Sequence, residues 1–118
     1  MSRNRIAVVV GVLVAFVIVG GILIYARSTS GQNVTFDVTV TGGKTMSPSD
    51  LTVHQNDTVT INIKSDTDGE VHLHVYDIHF ETKKGQTVTQ KFKADKSGKF
   101  PLEWESTSTD LGQLIVNP

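Results

Sequence analysis

The chain has 118 residues, a formal net charge of −1, 38% hydrophobic residues and no cysteine; this leaves room for one domain of ordinary size and excludes a large multidomain enzyme. Its charge is unevenly spread, with none in residues 6–26 and every acidic residue at Asp37 or later. Residues 34–118 hold eight lysines against twelve Asp and Glu, formally −4, the wrong sign for gripping a phosphate backbone, so nucleic acid is not an expected partner.

Residues 1–5 carry Arg3 and Arg5 and lead into the uncharged run IAVVVGVLVAFVIVGGILIYA, residues 6–26. Roughly 20 residues at about 1.5 Å each cross a hydrocarbon core of about 30 Å, so this run is long enough to span as a transmembrane helix. Its Val and Ile are no obstacle, because lipid forces every backbone N–H and C=O to be satisfied within the segment. Arg3, Arg5 and the amino terminus precede the run and only Arg27 follows closely, which places the N-terminus in the cytoplasm and the rest on the extracytoplasmic side. A cleaved signal peptide is the competing reading, but its apolar region runs to about 7 to 15 residues, and the best A-x-A-like site here puts Ile24 and Ala26 at the two key positions, where Ile is bulky. An uncleaved single-pass anchor in the cell membrane is the expectation. No cysteine follows for lipid attachment or disulfides, so the domain must stand on its hydrophobic core. Residues 27–33, RSTSGQN, read as a short polar tether, and residues 34–118 as the domain.

Within the domain, apolar residues alternate with polar ones and turn residues interrupt every 8 to 12 positions, the pattern of an all-β sandwich or barrel. Val34, Phe36, Val38 and Val40 form the first run; TGGK breaks it, and Leu51 and Val53 resume after Ser47-Pro48-Ser49-Asp50. Asn56-Asp57 is a turn before Val59, Ile61 and Ile63, and residues 65–69 turn again before a strand at 70–76. Gly85 precedes a strand with Val88 and Phe92. Phe100, Leu102 and Trp104 share one face of the next, and residues 111–116 close the chain. Seven or eight short strands are expected, with Ser106-Thr107-Ser108-Thr109 as the last loop.

The densest polar constellation is Val71-His72-Leu73-His74-Val75-Tyr76-Asp77, followed by His79. On a strand, His72, His74 and Tyr76 project to one face and Val71, Leu73 and Val75 to the other. Two imidazoles about 6.5 to 7 Å apart along a strand can reach a common metal ion if further donors come from elsewhere in the fold. His72 and His74 are therefore the leading candidates; His79, His54 and Met46 are weaker ones, and Glu105 and Asp110 are further oxygen donors. The plain alternative is a pair of surface imidazoles on the polar face of an amphipathic strand. Asp77 is expected to cap its own turn, Trp104 to pack with Phe100 and Leu102 with its indole N–H near a loop, and Glu103 and Glu105 to solvate a strand face. No G-x-S-x-G frame, P-loop spacing or comparable catalytic constellation occurs, so no enzyme is expected.

The segments TMSPSDLTV, QNDTVTINI, EVHLHVYD, SGKFPLEWE and LGQLIVNP, in this order, resemble a cupredoxin-like domain of the small membrane-anchored bacterial type. The resemblance covers residues 34–118 and implies a Greek-key β-sandwich. By that resemblance His72 or His74 matches the family's upstream copper histidine, Gly98 and Phe100 match its G-x-F strand, and Met46 stands where an aromatic or apolar residue is usual. Blue-copper members add a Cys, a His and commonly a Met from the loop after the G-x-F strand, whereas that loop here reads Glu105-Ser106-Thr107-Ser108-Thr109-Asp110. A type 1 blue-copper site is therefore not expected, and any copper would sit in a nitrogen and oxygen site suited to metal handling. The alternative is a metal-free interaction module docking on another envelope protein through strand edges and an exposed Tyr76 and Trp104 region.

Overall fold

The computed structural model describes residues 31–118. The expected cytoplasmic N-terminus, membrane helix and most of the tether lie outside the described residues. Among the described residues no helix is long and apolar enough to cross a membrane. Nine strands run in order: β1 (Asn33–Thr41), β2 (Thr45–Ser47), β3 (Asp50–His54), β4 (Thr58–Ser65), β5 (Gly69–Leu73), β6 (Ile78–Thr82), β7 (Thr87–Lys93), β8 (Gly98–Trp104) and β9 (Thr109–Asn117), with one 3₁₀ turn at Glu105–Thr107. They form two sheets, ordered β2-β1-β4-β7 and β3-β9-β8-β5-β6. Nine exceeds the seven or eight expected, and the two strands not placed from the sequence are β2, only three residues long, and β6, whose Ile78 and Phe80 alternate with His79 and Glu81.

The alternation legible in the sequence is what the sheets bury. Val38 and Val40 of β1, Val59, Ile61 and Ile63 of β4, and Phe100, Leu102 and Trp104 of β8 all face one core that also takes Leu51, Val53, Val71, Leu73, Phe80, Leu114 and Val116. Each such side chain withdrawn from water contributes about 1.5 to 3 kcal/mol. The alternation slips once: between β8 and β9 a one-residue bulge leaves Leu111 as an extra residue. This is why the buried positions of β9 run 111, 114, 116 rather than every second residue. The expected turn at Asn56-Asp57 forms with Asn56 at φ 76°. The buried carboxylate of Asp57 accepts the N–H groups of Gln32 and His54, both at 2.9 Å, and so holds the entry to the domain against the β3–β4 turn.

Trp104 is buried, 5% exposed, and its indole lies against two glycines. A Cβ on Gly43 would stand 2.6 Å from the indole nitrogen, and one on Gly69 would stand 2.2 Å from the six-membered ring. The indole N–H is thus beside the β1–β2 loop, as the sequence suggests. The same loop is tied to the β4–β5 turn by Asp66, whose Oδ1 accepts from Gly42 N–H and the Thr67 hydroxyl, both at 2.8 Å. The Gly42 bond first, then the Thr67 bond, holds the Asp66 carboxyl below its ordinary value of 3.8.

Gly43 combines a positive φ of 63° with this close approach, so Gly43→Ala is expected to lose roughly 1 to 3 kcal/mol in urea denaturation and to alter the emission of the single tryptophan. Asp66 has a depressed folded-state pKa, so its contribution is present above pH 3.8 and is lost as pH falls through the depressed value. The denaturation midpoint of Asp66→Asn should accordingly lie below that of the wild type at pH 6 and approach it in acid.

Candidate metal centre

The alternation that buries Val71 and Leu73 turns Glu70 and His72 to the outer face of the five-stranded sheet. β5 stops at Leu73. Tyr76 N–H bonds the carbonyl of His74 at 2.9 Å, closing a three-residue turn centred on Val75, whose φ is 73°. A β-branched residue in this left-handed region costs about 1 to 3 kcal/mol and persists only where its surroundings over-determine it. Here they do. The Tyr76 hydroxyl donates to Lys96 C=O at 2.6 Å and accepts from Lys96 N–H at 2.9 Å, and its ring meets Phe100 edge-on with centroids 5.0 Å apart. Burial pushes the Tyr76 hydroxyl above its ordinary 10. Asp77, at φ 56°, completes the reversal, and β6 returns beside β5 with His79 directly opposite His72.

This register assembles the site. The rings of His72 and His79 lie parallel within 9°, with centroids 4.4 Å apart. Nε2 of His72 is 2.9 Å from Asp77 Oδ1, and Nε2 of His79 is 3.1 Å from the same oxygen. Each ring has a second carboxylate on its other nitrogen: Glu70 contacts Nδ1 of His79, and Glu105 Oε1 lies 3.5 Å from Nδ1 of His72. One donor atom each from His72, Asp77 and His79 lies within 4.8 Å of the other two, an arrangement of two neutral-capable imidazoles and one carboxylate that suits a borderline divalent cation. Hydrogen bonds from His72 first and then His79 hold Asp77 below its ordinary 3.8. Glu70 first, and Asp77 after it, hold His79 above its ordinary 6.5.

The histidines expected from sequence are distributed differently from the expectation. His74 sits beside His72, with centroids 4.6 Å apart, but its Nε2 turns to Glu103 at 3.0 Å. It is His79, across the hairpin, that shares a carboxylate oxygen with His72. His54 is exposed on β3, at the opposite edge of the sheet from β6. Met46 is 6% exposed, in the core of the sandwich, with its methyl group beside Gly112. Asp110 lies on β9 in a shallow depression with Asp50 and Lys99, apart from the histidines.

Five further expectations are corrected. Val75 does not join the buried face of β5; the chain has left the strand, and Val75 is 64% exposed. Tyr76 does not share the face of His72 and His74, because the turn swings it toward Phe92 and Phe100. Asp77 spends its carboxylate on two imidazoles rather than on its own turn, and Glu103 and Glu105 face His74 and His72 rather than water alone. With Trp104 buried, the proposed docking region of Tyr76 and Trp104 is not an exposed aromatic pair. The signal that could have placed His79 was the alternation of Ile78 and Phe80 with His79 and Glu81, which marks a return strand.

A group whose folded-state pKa is raised stabilises fully below its unfolded value and loses that contribution as pH rises through the raised one; the reverse holds for a depressed carboxylate. His79 therefore supports the metal-free hairpin below pH 6.5 and Asp77 supports it above pH 3.8. NMR titration of the His79 ring should give a midpoint above 6.5, and Glu70→Gln should return it toward that value.

Comparison with known proteins agrees with this architecture. The cupredoxin-like domain family matches residues 12–116. The chain is similar to the solution structure of a copper binding protein in its apo form, with a TM-score of 0.60 and 16% identity over 76% of this chain and 92% of that one. It is also similar to auracyanin B, with a TM-score of 0.53 and 11% identity over 79% and 94%, and to the laccase of Botrytis aclada, with a TM-score of 0.59 and 16% identity over 78% of this chain but 24% of that one. At such identities the likeness is one of fold. No curated protein matches the chain by sequence. With no cysteine to supply a thiolate, there is no type 1 blue-copper centre. The match over most of the chain and the two-sheet sandwich agree: the chain belongs to the cupredoxin-like domain family.

Proposed function

We propose that this protein is a membrane-anchored cupredoxin-like domain that captures a divalent transition-metal ion, Cu(II) foremost, on the extracytoplasmic side. The observation that carries the reading is the convergence of two imidazole Nε2 atoms on one oxygen of Asp77. His72, His79 and Asp77 would hold the ion, with His74 near the same site. All three donors are nitrogen or oxygen, which favours Cu(II) or Zn(II) over Cu(I), whose preference is for thiolate and thioether. The thioether of Met46, which could have served as a soft donor, is committed to the core. The role is binding for metal handling rather than catalysis: the cluster lies on an open sheet face, with Asp77 77% exposed, and no nucleophile stands against a positioned base in the sequence. Residues 6–26 supply the anchor and Arg3 and Arg5 its orientation. A docking module has less support, since Val75 is the one large hydrophobic residue exposed among those described.

Calorimetric titration of the purified protein with Cu(II) tests the reading. The wild type should bind one ion with release of protons, because ligating imidazoles must be deprotonated. A His72→Ala/His79→Ala double variant should lose about 100-fold or more in affinity, while His54→Ala should bind as the wild type does. Equal weak binding by the wild type and the double variant would overturn the proposal.

A further inference from the structure

We propose that Glu70 is a positioning residue that fixes the tautomer of His79, keeping the proton on Nδ1 and presenting the bare Nε2 to the cation. This rests on the metal-binding reading above. His79 is a ring between two carboxylates, Glu70 on Nδ1 and Asp77 on Nε2, and a neutral imidazole has one N–H to give. The two carboxylates differ in setting: Glu70 projects from β5 and is 29% exposed, whereas Asp77 stands on the turn and is 77% exposed. The bond less open to water is the stronger one, so the proton belongs to the Glu70 side. The lone pair of Nε2 then faces Asp77 Oδ1 at 3.1 Å, acceptor against acceptor, while the Nε2 of His72 approaches that oxygen from 2.9 Å. A cation in this gap relieves the repulsion, whether it is a proton or a metal ion. An outer carboxylate fixing ring orientation and raising ligand basicity is a known support of metal-bound histidine. Glu105 stands behind His72 in the same sense but 3.5 Å away, too long for a strong hydrogen bond, so its share is the smaller.

The test uses the full chain in detergent, with ¹⁵N-labelled histidine rings read by two-bond ¹⁵N–¹H NMR and Zn(II) as the diamagnetic probe. In the metal-free wild type, at a pH where His79 is neutral, its proton should be found on Nδ1. In Glu70→Gln and Glu70→Leu the proton should redistribute toward Nε2, and Zn(II) affinity should fall about 10- to 100-fold, with Glu105→Gln affected less. If His79 keeps its Nδ1 proton in both Glu70 variants, Glu70 does not position it and the proposal fails, whatever the affinity. If the tautomer shifts as expected but the wild type binds neither Zn(II) nor Cu(II), the positioning role stands and the metal-binding reading falls.

Discussion

The site depends on the register of one hairpin. β5 and β6 pair so that His72 and His79 are directly opposed, and directly opposed side chains on one face of an antiparallel pair stand about 4.5 to 5.5 Å apart at Cβ. That spacing lets two imidazoles lie parallel and share the oxygen of the residue at the turn. A slip of one residue would send one histidine into the core and bring a hydrophobic side chain to the surface. Val71, Leu73 and Phe80, all fully buried, forbid that slip, so the apolar face of the hairpin fixes the geometry of its polar face.

The turn itself is held from outside. Its left-handed residues, Val75 and Asp77, would not adopt these angles readily in isolation, and the two hydrogen bonds between Tyr76 and Lys96 pin the turn to the loop between β7 and β8. Asp77 is consequently aimed at the histidines by a contact made on the far side of the turn. The concentration of carboxylates follows the same logic: Glu70, Asp77, Glu103 and Glu105 come from β5, the hairpin turn, β8 and the 3₁₀ turn, and each meets a histidine nitrogen. Such a cluster is anionic when its histidines are neutral, and a divalent ion would be drawn to it more strongly than a monovalent one.

Much of the sandwich was legible because period-two alternation reports directly which face is buried. Val38 and Val40, Val59 to Ile63, and Phe100 to Trp104 all lie where that rule puts them. The strand at β6 alternates as β3 does, with Ile78 and Phe80 in place of Leu51 and Val53, but no Gly or Pro marks the turn before it, so the sequence does not show where β5 ends and its return strand begins. β2 escaped notice because three residues make no periodic pattern. The overextended reading of β5 has another cause. Residues 70–76 alternate without interruption, but alternation cannot register a positive φ imposed by packing elsewhere, and Tyr76 is drawn away by Phe100 and Lys96.

The sequence alone determined that the domain is all-β and has no thiolate for a blue-copper centre, since composition and local periodicity carry that information; the resemblance added the sandwich, and the spacing of His72, His74 and His79 marked the segment where candidate ligands gather. Which histidine joins His72 was decided only by the tertiary structure. His74 is nearer in sequence yet turns to Glu103, and His79, seven residues on, arrives through a hairpin whose turn is set by contacts with residues 92–100. Convergence of donor atoms is a property of cross-strand register and of non-local packing, and neither is written in the spacing of residues along the chain.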